Sequence, residues 1–314
     1  MVSCTNVLRR RILTAGAGSA LATAMGPLSL AFGAAEQPLQ TRPIPHSGEQ
    51  LPIVGIGTRM AFEFENDPAQ FDERRRVLQT MISGGAKLVD TAHSYSTAED
   101  RVGDLIADLG ARDKLFIATK FSFNQDRAAA TASMQRSLQR LKVSRVDLIQ
   151  AWNVSEANYD FGMLRDWKQQ GLCRYVGMTT SFIKAYDPIS KVLAREKPDF
   201  FQVNYSIGDR EAERVLLPLA RDVGAAVMVN LPFGRNSLFK KAGGRPLPDL
   251  AKEIGAASWA QFFLKFILSH PAVTAVIPGT DKPEYMVDNM NAGRGVLPDA
   301  AMRKRMIDYW DALS

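Results

Sequence analysis

The chain has 314 residues, 46% hydrophobic and 23% charged, a composition that sustains a buried core and excludes a disordered chain, a fibre or a polytopic membrane protein. Thirty-nine Lys and Arg against 33 Asp and Glu give a formal net charge of +6. No basic cluster interleaved with aromatics runs along one element, so nucleic acid is not an expected partner.

The chain opens with Arg9, Arg10 and Arg11, followed by an uncharged stretch from Ile12 to Ala35 rich in Ala, Gly, Leu, Ser and Thr. A positive region followed by an apolar one is the order of an export signal. The paired arginines, one further residue, and then Ile12 and Leu13 resemble the twin-arginine signal that carries folded proteins across the bacterial inner membrane. Small residues close the segment at Gly33, Ala34 and Ala35, which predicts cleavage before Glu36, a mature domain over residues 36–314 and a periplasmic location. The alternative is an uncleaved anchor, because roughly 20 apolar residues can span a bilayer; Pro27 and the many small residues argue against it. Without its three signal arginines the chain carries 36 basic against 33 acidic residues. Cys4 leaves with the signal, and Cys173 alone can form no internal disulfide.

From Ile53 onward, short apolar and β-branched runs alternate with segments of helical spacing. The order is strand Ile53 to Gly57, helix Phe71 to Ser83, strand Lys87 to Asp90, helix Ala98 to Leu109, strand Leu115 to Thr119 and helix Ala130 to Leu141. It continues with strand Val146 to Ala151, helix Phe161 to Gln170, strand Arg174 to Met178, helix Ile183 to Glu196, strand Phe200 to Asn204 and helix Glu211 to Val223. Strand Ala226 to Val229, helix Trp259 to Leu268, strand Val273 to Ile277 and an extra C-terminal helix, Asp299 to Leu313, complete it. Eight strands with seven helices between them and one more at the C-terminus predict an α/β fold of the (β/α)8 TIM-barrel type. The alternative, a doubly wound sheet, normally carries a Gly-rich fingerprint after its first strand. Gly55-Ile56-Gly57 begins one, but Met60 stands at the third glycine, so these glycines are read as a strand end. No Walker A sequence, His-Glu-x-x-His, Gly-x-Ser-x-Gly or metal-spaced Cys/His cluster is present, and no metal is expected.

In such a barrel the chemistry sits at the C-terminal strand ends. The second strand ends in Asp90 and is followed by His93 and Tyr95, while the third ends at Thr119-Lys120. An Asp, a Tyr and a Lys at one mouth make a proton-transfer device. The cation favours the phenolate, and the carboxylate holds and neutralises the lysine.

These residues resemble the aldo-keto reductases. The likeness runs through Asp90 to Gly103, Lys120, Val146 to Gln150, Arg174 to Thr179 and Ile277 to Thr280, and covers nearly all of residues 41–311. It implies a barrel that transfers hydride between a nicotinamide cofactor, usually NADPH, and an aldehyde, ketone or alcohol. Tyr95 would protonate the carbonyl oxygen, Lys120 would activate Tyr95, and Asp90 would pair with Lys120. Where the family places a histidine after Asp-Leu-x-Gln-x, this chain has Trp152, whose indole can donate one hydrogen bond but cannot relay a proton. His93 could substitute; His46 and His270 lie away from the strand ends.

The likeness also implies a cofactor site. Thr58, Thr179, Thr180 and Gln202 would surround the nicotinamide, and Asn230 falls where the family usually stacks an aromatic ring. Phe233, Gly234 and Arg235 would line the pyrophosphate. Pro278, Gly279, Thr280 and Lys282 would meet the adenosine phosphate, with Asp288 and Asn289 at the adenine. Lys282 suits the 2'-phosphate of NADP, while Asp281 opposes it and leaves NAD open. Met60, Phe62, Phe64, Trp152 and Phe233 suggest an apolar substrate cavity. Two other functions stay open, a cofactor-binding, weakly active protein of the cell envelope and a barrel enzyme of another class using Tyr95 and Lys120 as acid and base. The expected partners are a small carbonyl or alcohol and the export machinery, with the oligomeric state open.

Overall fold

A computed structural model describes residues 37–122, 126–152, 154 and 160–313. The proposed export signal, with Cys4 and Arg9 to Arg11, lies outside the described residues. Eight parallel strands form one sheet in chain order: β3 (Ile56–Gly57), β4 (Leu88–Asp90), β5 (Phe116–Ser122), β6 (Val146–Trp152), β7 (Cys173–Thr180), β8 (Phe200–Asn204), β9 (Ala226–Asn230) and β10 (Val273–Val276). Parallel bridges Val54 to Val276 and Gly57 to Gly279 join the first strand of the sheet to the last, so the sheet closes into a (β/α)8 barrel. The glycines of that seam are structural. A Cβ on Gly55 would lie 2.6 Å from the Leu88 carbonyl oxygen, and one on Gly57 would lie 3.0 Å from that of Ile277. Gly55 lets the first strand approach β4, and Gly57 lets it approach the last strand at the seam.

The helices are α1 (Pro68–Ser83), α2 (Ala98–Leu109), α3 (Arg127–Arg140), α4 (Phe161–Gln169), α5 (Tyr186–Glu196), α6 (Leu216–Asp222), α7 (Ser237–Ala242), α8 (Asp249–Glu253), α9 (Trp259–Leu268), α10 (Pro283–Asn291) and α11 (Ala300–Ala312). Local chemistry starts several of them. Asp67, Asp126, Asp160, Ser258 and Asp299 each accept backbone N–H bonds at a helix N-terminus, and Pro68 fills the first position of α1.

Two predicted helices begin later than their periodicity suggests. Ile183–Ala185 and Glu211–Glu213 are short 3-10 turns ahead of α5 and α6. Pro188 and Pro218 explain both, because a proline cannot donate to the carbonyl four residues earlier and its ring collides with it. An antiparallel hairpin, β1 (Thr41–Pro43) with β2 (Gln50–Pro52), precedes the barrel and was not predicted. It closes the barrel floor, where Ile44 and Leu51 pack with Leu88, Phe116, Leu148, Tyr175 and Phe200 in one buried cluster. At the starts of the strands the acids are structural. Asp147 accepts from Ile117 N at 2.8 Å and Arg174 Nη1 at 2.9 Å, and Asp199 accepts from Val176 N at 2.9 Å and Lys168 Nζ at 2.7 Å.

Candidate active site

Strand alternation builds the site. Leu88, Ala118, Leu148, Phe200 and Met228 fill the barrel interior, and the period of two places Asp90, Lys120, Gln150, Gln202 and Asn230 one pleat further along the same inner face. Val89, Ile117, Ile149, Val203 and Val229 point outward into the helix layer. The lumen is therefore apolar below and polar at its C-terminal mouth. Asp90, Lys120, Gln150, Thr179 and Gln202 are all buried there.

Asp90 is the hub. Its Oδ2 accepts from Lys120 Nζ at 2.6 Å, and its Oδ1 accepts from Gln150 Nε2 at 3.1 Å and Gln202 Nε2 at 2.9 Å. The ammonium also donates to the Thr91 carbonyl at 2.8 Å. Tyr95 comes to the same point through a turn in which its N–H donates to Ala92 O at 3.1 Å and its carbonyl accepts from Ala98 N at 2.7 Å. Lys120 Nζ lies 5.1 Å from the Tyr95 ring centroid. Burial pulls the lysine pKa down, but the charge of Asp90 and the contacts with Tyr95 outweigh it, and the net shift is upward. Lys120 is thus held as a cation against the phenol.

His93 is committed elsewhere. Its Nδ1 donates to the Lys120 carbonyl at 2.9 Å, which ties the loop after β4 to β5. Trp152 ends β6, paired with Ser122 on one side and Thr179 on the other. Its parity with Leu148 and Gln150 puts it on the inner face, directly above the polar layer. It is half-buried.

The proposed nicotinamide residues divide by strand face. Thr179 Oγ1 donates to Gln202 Oε1 at 3.0 Å, and Asn230 Nδ2 donates to the same oxygen at 3.2 Å. Thr180, next along the strand, faces away from Thr179, and its hydroxyl accepts from Phe182 N at 3.2 Å to shape the following loop. Thr58 is fully buried, its hydroxyl donating to the Asp90 carbonyl at 3.1 Å. Within the described residues, Asn230 Oδ1, Gln150 Oε1 and Thr91 Oγ1 are buried without a hydrogen-bond partner. Asn230 Oδ1 and Gln150 Oε1, on the inner face at the end of the lumen, match a ligand that carries N–H donors, and the carboxamide of a nicotinamide is such a group.

After β9, Leu231, Gly234, Arg235 and Asn236 all adopt positive φ, between 49° and 70°. Each non-glycine residue there costs about 1 kcal/mol or more, and such strain concentrates where backbone N–H groups must converge. Phe233 stacks obliquely on Phe239 with ring centroids 5.0 Å apart. Beyond β10, Gly279 packs against the carbonyl of Gly57, and Thr280 Oγ1 accepts from Lys282 N at 3.3 Å. The Lys282 ammonium lies 5.7 Å from the Tyr285 ring centroid. Pro278 accepts at its carbonyl from Gly57 N at 3.1 Å. Asp288 accepts from Ser258 Oγ and Gln261 Nε2, each at 2.6 Å, so it fastens α10 to α9; Asn289 beside it is buried.

Asp281 does not stand as an unopposed charge beside Lys282. Arg74 Nη1 donates to the Asp281 carbonyl at 2.9 Å, its Nη2 lies 3.8 Å from the carboxylate, and its Nε donates to Ala61 O at 2.6 Å. Sequence reasoning missed this buried arginine. Its signal was present, because Arg74, Val77, Leu78 and Met81 share the inward face of α1.

The expected apolar substrate cavity is corrected by the structure. Phe62 and Phe64 are buried, the latter with Arg74 and Arg101 at 5.7 and 5.9 Å from its ring centroid, and Met60 is 81% exposed. The loop turns these side chains into the core or out to solvent. Trp152 and half-buried Phe233 keep positions consistent with a wall.

The family model described as "Aldo/keto reductase family" matches residues 54–307. The chain belongs to the aldo/keto reductase family. Members of that family are NAD(P)-dependent oxidoreductases. Aldo-keto reductase str7 of Strobilurus tenacellus is 27% identical over 274 residues, which is 74% of this chain and 81% of that protein. Aldo-keto reductase ausK of Emericella nidulans is 22% identical over 293 residues, covering 77% of this chain and 73% of its own length. Among solved structures, an aldo-keto reductase from Klebsiella pneumoniae in complex with NADPH superposes with a TM-score of 0.71 at 21% identity, covering 88% of this chain and 96% of its own. The holo form of an aldo-keto reductase from Bacillus halodurans gives a TM-score of 0.70 at 22% identity, covering 87% and 96%. These two likenesses concern the fold.

Proposed function

We propose that this reductase is exported and uses NADP to interconvert a small aldehyde or ketone and its alcohol. The observation that carries the chemistry is the buried Asp90 to Lys120 pair at 2.6 Å with the Tyr95 ring 5.1 Å from the ammonium. A nicotinamide held at this mouth would supply or take the hydride. Tyr95 delivers the proton to the carbonyl oxygen and takes it back in the reverse direction. Lys120 holds a positive charge against the phenol, and Asp90 fixes that charge in place. Thr179, Gln202 and Asn230 would hold the nicotinamide carboxamide, with the unpaired Asn230 Oδ1 as an acceptor for its NH2 group. Lys282 would pair with the 2'-phosphate of NADP, with the Asp281 carboxylate partly offset by Arg74 at 3.8 Å, which also holds Glu73 at 2.7 Å. Trp152 can donate its indole N–H to the substrate oxygen but carries no proton onward.

A second reading keeps the cofactor and loses turnover. It is favoured by Trp152, since an indole at the mouth both removes a proton relay and occupies space. Fluorescence titration with NADPH and NADH, followed by an aldehyde panel, separates the two. Tight NADPH binding with aldehyde-dependent oxidation supports the enzyme, NADPH binding without oxidation supports the binding protein, and no dinucleotide binding contradicts both.

Export rests on Arg9, Arg10 and Arg11 ahead of the uncharged stretch to Ala35. A folded passenger would acquire its cofactor before crossing the membrane and retain it. Substituting Lys for Arg9 and Arg10 should hold the protein in the cytoplasm, and unchanged export would refute the assignment.

A further inference from the structure

We propose that Arg59 selects a substrate bearing a carboxylate close to its reactive carbonyl. The inference rests on the reductase reading of the site and names its substrate class. Arg59 immediately follows Thr58, whose N–H and hydroxyl both donate to the Asp90 carbonyl at 3.0 and 3.1 Å. Beyond it, Phe62 N donates to Thr58 O at 2.9 Å, and Met60 takes a left-handed φ of 63° to close that turn. The flank before Arg59 is therefore fixed to the strand that carries Asp90, and the flank after it is closed back onto Thr58 by a turn that holds a strained residue.

The side chain is exposed, and its guanidinium lies 5.8 Å from the Tyr95 ring centroid, against 5.1 Å for the Lys120 ammonium. Among the described residues no carboxylate is within ion-pair distance of Arg59. This contrasts with its neighbours. Arg74 and Arg101 pair with Glu73 and Asp104, and Lys120 with Asp90. The mouth thus presents one unneutralised planar cation beside the proton-donating phenol. The aromatic side chains of the same loop, Phe62 and Phe64, are turned into the core. A guanidinium in that position matches a carboxylate with two parallel N–H bonds. Because both groups border one phenol ring, the carboxylate must lie within a short chain or one ring of the carbonyl.

The test uses the holoprotein with 4-carboxybenzaldehyde and its neutral counterpart, methyl 4-formylbenzoate, and terephthalate as a non-reducible binding probe. Wild type should prefer the acid. Arg59→Met should lower kcat/KM for the acid by about 10- to 100-fold, the scale of a charge-assisted hydrogen bond, mainly through KM. The ester should change by less than about threefold, and Arg59→Lys should restore the acid only in part. If neither aldehyde is reduced, terephthalate affinity decides. Binding that Arg59→Met abolishes sustains the anion site while the reductase reading falls. Equal kcat/KM for acid and ester in wild type, or terephthalate binding indifferent to Arg59, overturns the inference. So does a loss of NADPH affinity in Arg59→Met that matches the loss of acid turnover, because the guanidinium would then serve a cofactor phosphate.

Discussion

Asp90→Asn is the sharpest structural perturbation of the site, because its geometry separates charge from shape. The two amide donors, Gln150 Nε2 and Gln202 Nε2, both reach Oδ1, while Lys120 Nζ reaches Oδ2 at 2.6 Å. An asparagine can keep its oxygen toward the amides, but it then turns an NH2 group onto the ammonium, donor against donor. The lysine is left buried with its charge uncompensated, and breaking a buried pair in this way costs about 3 to 5 kcal/mol. Lys120→Met alone strands the carboxylate and should cost a similar amount. The double variant removes both charges and leaves the amide NH2 group introduced at position 90 and the Thr91 carbonyl without their partners, about 1 to 3 kcal/mol each. Urea denaturation followed by tryptophan fluorescence measures all four corners of the cycle. The pH dependence gives an independent sign. In wild type the raised Lys120 pKa adds stability that is complete below its unfolded value of 10.5 and is lost as pH rises through the folded value. In Asp90→Asn burial acts with far less opposition, so stability should instead increase as pH rises toward 10. Single variants whose costs simply add, or an Asp90→Asn variant that costs less than about 1 kcal/mol, would refute this account of the pair.

Trp152→His should raise reduction of small aldehydes by about 10² to 10³, the worth of a well-placed donor at a developing oxyanion, with Trp152→Ala as the control for space; equal gains in both would mean that bulk alone was limiting. Gly103→Ala should destabilise the barrel by about 1 to 3 kcal/mol, since its Cβ would lie 2.0 Å from the Arg140 carbonyl oxygen where α2 meets α3, and an unchanged urea midpoint would contradict that packing. Burial first, then Arg303, pushes His270 from 6.5 down to about 4, while Ala272 N donates to its Nδ1 at 3.2 Å. The neutral ring stabilises the fold above pH 6.5, and that stability is lost as pH falls toward 4. For a half-buried ring screened by solvent this is about 1 to 2 kcal/mol, which His270→Phe should remove from the acid limb of the stability curve.

The barrel was legible because its strands are dense in β-branched and apolar residues and its helices carry an inward stripe. All eight strands and their order follow from that pattern. The hairpin at Thr41–Pro43 and Gln50–Pro52 was not, since three-residue strands containing prolines carry no usable periodicity. Asp90, Tyr95 and Lys120 stood out because they follow strand runs. The amide layer of Gln150, Gln202 and Asn230 became a network only when the register set those strands side by side. Thr180 shows the limit of adjacency, because a strand turns consecutive side chains to opposite faces. Arg59 was hidden for another reason. A single arginine in a loop looks like a solvated residue until its neighbour Tyr95, 36 positions later in sequence, is folded against it.

The central claim is that Tyr95, held by Lys120 and Asp90, donates the proton in a nicotinamide-dependent carbonyl reduction. Single-turnover oxidation of NADPH, followed at 340 nm with aldehyde present, tests it in wild type and Tyr95→Phe. The account predicts aldehyde-dependent oxidation that slows by about 10²-fold or more in the variant while NADPH affinity stays within about twofold. Reduction that proceeds at the wild-type rate without the Tyr95 hydroxyl would contradict it.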